Sequence, residues 1–147
     1  MSDMQRTQKK PRRRIGAIIA AASLLAAGLL GVTSPAQAAS SDCGSGRACA
    51  WSGYDYGVDG FWGWTSWQYC YNDFTGGSLS NDKASSFYNN GNAQVARMYQ
   101  YLNAGGPYIS RPIKSGYPDL NTVSFNDRAT SGYFYNYIGS AGTSFCN

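Results

Sequence analysis

Apolar positions in residues 39–147 come in short runs separated by clusters of Gly, Asn, Asp and Ser. Short runs between frequent turn formers predict strands rather than helices. Residues 47–51 read as the first strand, and Gly53-Tyr54-Asp55-Tyr56-Gly57 as a glycine-rich turn. Residues 61–71 are the most aromatic stretch and read as a strand pair or one long bent strand. By the period of two, Trp62 and Trp64 share one face. That face is expected to pack in the core, with an exposed aromatic platform as the alternative. Residues 72–79 form a polar loop. Phe87 and Tyr88 lead into Asn89-Asn90-Gly91-Asn92, a turn cluster that reads as the seam between two halves. In residues 94–102, Val95, Arg97, Tyr99 and Tyr101 alternate with Ala96, Met98, Gln100 and Leu102, a strand pattern. Residues 103–107 are its turn, 108–113 a short strand, 116–120 punctuation, 132–138 a strand and 143–146 the closing segment.

All of the Trp, Tyr and Phe lie in residues 39–147, which contain no Glu and no His. Aromatics set among turn formers argue for a sandwich or barrel of one domain. A core this small should depend on cross-links. Four cysteines, Cys43, Cys49, Cys70 and Cys146, suggest two disulfides, and three pairings are possible. Cys43 with Cys49 would staple the N-terminal turn, and Cys70 with Cys146 would tie the first half to the end. A zinc site is disfavoured, because there is no Cys-x2-Cys pair and no His.

Residues 1–38 have the layout of a secretory signal peptide. Lys9, Lys10, Arg12, Arg13 and Arg14 precede an apolar stretch over 15–32, and Ala36-Gln37-Ala38 offers cleavage between Ala38 and Ala39. An uncleaved anchor is the alternative, since the apolar run approaches bilayer length. The expectation is a secreted, extracellular protein with no membrane association after signal removal. Residues 1–38 carry six Lys/Arg and one Asp, net +5; residues 39–147 carry six Lys/Arg and seven Asp, net −1. The basic balance therefore belongs to the export segment and gives no support to nucleic-acid binding.

One stretch occurs twice. Asn81-Asp82-Lys83-Ala84-Ser85-Ser86 returns 45 residues later as Asn126-Asp127-Arg128-Ala129-Thr130-Ser131. Asn, Asp, Ser and Thr are common turn formers, and that accounts for one copy. Two copies at the spacing of a supersecondary unit point instead to a paired device. Every side-chain donor in it is an oxygen, the chemistry of a hard cation such as Ca²⁺.

These stretches resemble the (Asn/Asp)-(Asn/Asp)-x-x-(Ser/Thr)-Ser motif of the βγ-crystallin superfamily. The resemblance implies an all-β fold: two Greek-key motifs, about 43–91 and 92–147, forming one βγ-crystallin-like sandwich domain. With its export signal, its early Cys43-x5-Cys49 pair and its small size, the chain also resembles the secreted group of the Streptomyces metalloproteinase inhibitor, peptidase inhibitor family I36. The superfamily's first hairpin carries two aromatics separated by four residues, then Gly after one more. Trp51 and Tyr56 keep the aromatic spacing here, with Gly57 one residue early. In the second half Tyr99 and Gly106 keep theirs, with Ala104 in place of the second aromatic. Glycine is expected to supply the positive φ of the folded hairpin.

The resemblance implies calcium sites, each made of a motif hydroxyl (Ser85, Thr130), a motif carbonyl (Lys83, Arg128) and an acidic side chain from the other copy (Asp82, Asp127). Asn81 and Asn126 are ligands or hairpin-locking acceptors. Without His or Glu the chain lacks the usual nucleophile–base and acid–base pairs, so it is not expected to be an enzyme. Calcium binding is the leading reading. Inhibition of a secreted metalloprotease is the second. The third is an adhesion or killer-type factor that binds a cell-surface glycan or protein through its aromatic faces. A monomer is expected.

Overall fold

The computed structural model describes residues 39–144 and 146. The expected signal segment, including Ala38, lies outside the described residues. The first half contributes β1 (Ala48–Trp51), β2 (Trp64–Trp67), β3 (Cys70–Tyr71) and β4 (Ser86–Asn89). The second contributes β5 (Ala96–Tyr101), β6 (Gly105–Arg111), β7 (Ser115–Tyr117) and β8 (Ser131–Phe134).

These strands form two antiparallel sheets, ordered β2-β1-β4-β7 and β3-β8-β5-β6. The third strand of each half therefore leaves its own sheet. β7 pairs with β4, placing Phe87 opposite Tyr117, and β3 pairs with β8, placing Cys70 opposite Tyr133. This exchange interlocks two Greek keys in one sandwich. Each half has one buried sheet face, and the facing sheet covers it.

Trp67, Phe74, Leu79, Phe87, Met98, Leu120 and Phe134 fill the core. The Trp67 ring stacks on Phe87 with centroids 5.9 Å apart. Alanines at 48, 50, 84, 96 and 129 are buried among them and let the backbones approach. Gly132 is required opposite Trp67, because a Cβ there would lie 2.6 Å from the indole. Each large apolar side chain buried this completely contributes about 1.5–3 kcal/mol.

The expected strand at 47–51 forms, as does the one inside 94–102. Four readings are corrected. The aromatic stretch becomes the short strands β2 and β3, and residues 61–63 form no strand. Within β2 the core face is Thr65 and Trp67, while Trp64 is 40% exposed and Trp62 half-buried. Trp64 instead covers Trp51 in a stacked pair at 6.1 Å. The strand expected at 108–113 runs from Gly105 to Arg111. The strand expected at 132–138 ends at Phe134 and continues as the 3-10 turn Tyr135–Ser140.

The punctuation at 116–120 conceals β7. Its Gly116 has no room for a side chain: a Cβ would meet the Phe87 carbonyl oxygen at 2.6 Å. Disulfides join Cys43 to Cys49 and Cys70 to Cys146. The second links β3 to the C-terminal segment, 76 residues away. Among the described residues no helix is long and apolar enough to cross a membrane.

Candidate metal centre

The two repeated motifs meet in a clasp. The backbone N–H of Asp82 donates to the Ala129 carbonyl at 3.1 Å, and that of Asp127 donates to the Ala84 carbonyl at 2.9 Å. Both aspartates take the left-handed conformation, with φ of 53° and 52°. Asp tolerates that region better than most residues, because its short polar side chain bonds locally.

The hydroxyl residue of each motif is tied on both sides. The N–H groups of Ser85 and Thr130 donate to the carbonyls of Trp51 and Tyr99, each at 2.8 Å, in the first strand of their own halves. Their carbonyls accept from Leu120 and Phe74 at 2.9 and 2.7 Å, in the 3-10 turns of the opposite halves. Those turns are themselves capped alike: Asp119 accepts from the Asn121 N–H and Asp73 from the Thr75 N–H, each at 2.8 Å. Each motif is thus held by a strand of its own half and by a 3-10 turn of the other.

The last serine of each motif locks a hairpin. Ser86 donates to the Gly53 carbonyl at 2.7 Å and accepts from the Tyr56 N–H at 3.1 Å. Ser131 donates to the Tyr101 carbonyl at 2.6 Å and accepts from the Ala104 N–H at 3.3 Å. In the first hairpin the positive φ falls on Asp55 and Tyr56 and not on Gly57; in the second it falls on Asn103 and Ala104 and also on the expected Gly106, at 72°. Tyr56 and Ala104 therefore occupy equivalent places, and a buried hydroxyl fixes the turn in both.

Chemistry concentrates at the motif hydroxyls. The Thr130 hydroxyl lies 2.5 Å from the Asn81 side-chain oxygen and 2.7 Å from the Gln100 carbonyl oxygen. Asn81, Asp82, Gln100, Tyr101, Leu102 and Thr130 line a cavity of about 260 Å³ there. Asp82 of one copy and Thr130 of the other thus face one space. In the mirrored clasp Asn126 donates from Nδ2 to Asp127 at 2.9 Å, while its Oδ1 is buried with no partner.

Lys83 and Arg128 stand between the Asp and Ala of each clasp, which puts their peptide groups at the crossing. The Arg128 side chain turns to the first cavity, donating to Gln100 Oε1 at 2.7 Å and to the Ser124 carbonyl at 2.8 Å. Gln100, Tyr101 and Leu102 carry no sequence signal as site residues, because only the β5–β8 pairing brings them to Thr130. The donor set is oxygen throughout, with one carboxylate per motif, which fits a hard cation and not a soft one. Among the described residues no three His, Cys, Asp or Glu gather into a metal cluster.

A family model described as peptidase inhibitor family I36 matches residues 36–110. A solved structure described as "Evolution of the eye lens beta-gamma-crystallin domain fold" is 23% identical, with a TM-score of 0.53 over 61% of this chain and 85% of that one. A βγ-crystallin from Ciona intestinalis is 14% identical, with a TM-score of 0.49 over 60% and 99%. One from an archaeon is 18% identical, with a TM-score of 0.48 over 62% and 99%. No curated protein matches the chain. At these identities the first structure speaks for the fold alone, a double Greek-key sandwich of βγ-crystallin type.

Proposed function

The chain belongs to peptidase inhibitor family I36, and from that membership we propose that it is a secreted, non-enzymatic module that binds calcium through its paired motifs. The observation that carries this reading is the crowding of oxygens around Thr130. A hydroxyl has one proton and can satisfy only one of the two acceptors it faces. The Asn81 and Gln100 oxygens therefore approach it with one of them uncompensated. The orphaned Asn126 oxygen marks the corresponding place in the mirrored clasp.

Asp82, Thr130 and the Gln100 carbonyl would hold the ion in one clasp, and Asp127, Ser85 and Asn126 in the other. When bound, Ca²⁺ supplies positive charge between oxygens that otherwise repel. The protein's part is to hold those oxygens in place through the crossed backbone bonds. One carboxylate per site predicts an affinity in the extracellular range, on the order of 10⁻⁴ to 10⁻³ M.

A rotated Asn81 amide would relieve the same crowding without a cation. Calorimetric titration of Ca²⁺ into the stripped, oxidised domain separates the two cases. Two sites with a raised melting temperature support the proposal; no heat and no shift at several millimolar reject it. The disulfides favour an oxidising, extracellular setting.

Inhibition of a secreted protease is the second reading, supported by the family match. Its test is the residual activity of a panel of secreted endopeptidases at micromolar concentrations of the domain.

A further inference from the structure

A second cavity lies where the two halves of the chain meet. Gln68 and Tyr69, after β2, and Phe134 and Tyr137, at the end of β8, line it together with the connection 91–94; its volume is about 190 Å³. No residue of the paired motifs takes part in it. Its floor is built by Asn89, which is fully buried. The Asn89 Nδ2 donates to the carbonyls of Gln94 and Arg111, each at 2.9 Å, and its Oδ1 accepts from the Gly91 N–H at 2.8 Å. Gly91 is required there, because a Cβ would lie 2.6 Å from the Phe134 ring.

Two amide side chains of the cavity are held in fixed poses. Gln94 Oε1 accepts from the Asn136 N–H at 3.1 Å. Asn92 Oδ1 accepts from the Lys114 ammonium at 3.4 Å and from the Ser45 hydroxyl at 3.3 Å. A backbone N–H and an ammonium can only donate, so each amide must turn its oxygen to them. The NH2 groups, Asn92 Nδ2 and Gln94 Nε2, are then left without a protein acceptor among the described residues. Beside them Tyr69, 42% exposed, packs on Tyr137 with ring centroids 4.9 Å apart. Among the described residues no charged side chain lines the cavity.

This set of groups selects the ligand. The volume falls below the roughly 300–1,000 Å³ of sites for drug-sized molecules, so it suits one small ring. Free N–H donors beside aromatic rings, with no charge, match an uncharged sugar ring: its oxygens accept, and its C–H face lies against a tyrosine. A peptide is matched less well. The Gly46 N–H already donates to the Asn90 carbonyl and the Phe134 N–H to the Tyr69 carbonyl, each at 2.9 Å, and the Gln94 carbonyl is bound by Asn89. These backbone groups offer an extended peptide no ladder to join. We infer that the cavity is a subsite for one uncharged pyranose unit of a glycan. The inference rests on neither the calcium nor the inhibitory reading.

The test is an NMR titration of the mature, oxidised, isotope-labelled protein with chitotriose, maltotriose and trigalacturonate at millimolar concentration. At least one of the two neutral trimers should shift the amide signals of Gly46, Gly91 and Gln94, and the acidic trimer should not. Asn92→Asp and Gln94→Glu keep the accepting oxygen and remove the NH2 donor. Each should weaken binding on the order of tenfold, the value of one hydrogen bond, with the rest of the spectrum unchanged. Tyr69→Ala should weaken it as well, and Ile113→Ala, an exposed apolar residue elsewhere, should not. No shift with either neutral trimer overturns the inference. So does binding that Asn92→Asp and Gln94→Glu leave undiminished. A blocked trialanine that shifts the same signals at equal or higher affinity would overturn it in favour of a peptide.

Discussion

The hydroxyl of Thr130, in the second motif, rests against the side-chain oxygen of Asn81, in the first. That contact spans 49 residues and joins the two halves at the point where each also crosses the other's backbone. It makes Thr130 a sharper probe than either aspartate. Thr130→Val keeps the shape and removes the oxygen, so it should abolish one Ca²⁺ site and leave the other. Thr130→Ser should keep both. In the wild type, 10 mM Ca²⁺ with a dissociation constant near 1 mM would stabilise each site by about 1.4 kcal/mol. Thermal melts with and without Ca²⁺ should show that increment halved in Thr130→Val.

The two sites should not be equal. The Arg128 guanidinium bonds Gln100, which lines the Thr130 cavity, and so brings positive charge to that site. Arg128→Gln should tighten the Thr130 site a few-fold, more at low salt than at high salt, as for any partly screened charge. Titrations at two ionic strengths measure this. An unchanged affinity at both would mean the guanidinium is too well solvated to matter.

Ser86 and Ser131 are fully buried, and each satisfies a carbonyl and an N–H of its hairpin. Replacing either with Ala leaves a carbonyl and an N–H of its hairpin without their partner. The expected cost is about 1–3 kcal/mol per substitution, read from the denaturation midpoint.

The disulfides differ in reach. Cys70 and Cys146 enclose 76 residues of separation, Cys43 and Cys49 only 6. In the chain-entropy model the long bridge stabilises by about 4.5 kcal/mol and the short one by about 2 kcal/mol. The Cys70→Ser, Cys146→Ser double variant should therefore lose roughly twice as much stability as the Cys43→Ser, Cys49→Ser one, measured by urea denaturation.

Stability should also fall in strong alkali. Burial pushes the Tyr133 phenol from 10.0 up to about 12, and its hydroxyl donates to Asn72 Oδ1. The folded state keeps this proton over a range where the unfolded chain has lost it. Stability is therefore complete below pH 10 and declines as the pH rises from 10 to 12. Tyr133→Phe, which has no proton to lose, should flatten that decline in pH-dependent melts.

The repeat at 81–86 and 126–131, the four cysteines and the short aromatic runs were legible in the chain itself. Residue type and spacing carry that information directly. They sufficed for the all-β class and the paired motifs, and for the strands at 47–51 and within 94–102. They misjudged which tryptophan is buried, because Trp62 and Trp64 have one parity and Trp67 the other. A period-two pattern cannot say which face meets the core until the partner sheet is placed.

The strand β7 was hidden for the same reason. Three residues around Gly116 have no propensity of their own and become a strand only against β4. The pairing of Cys70 with Cys146 likewise depends on β3 joining the sheet of the second half, and the approach of Gln100 to Thr130 on β5 pairing with β8. Local chemistry thus determined the parts of this protein: the oxygen-bearing motifs, the turns and the half-cystines. The tertiary structure alone decided which parts meet, because neither Greek key can bury its apolar face without the strand it receives from the other.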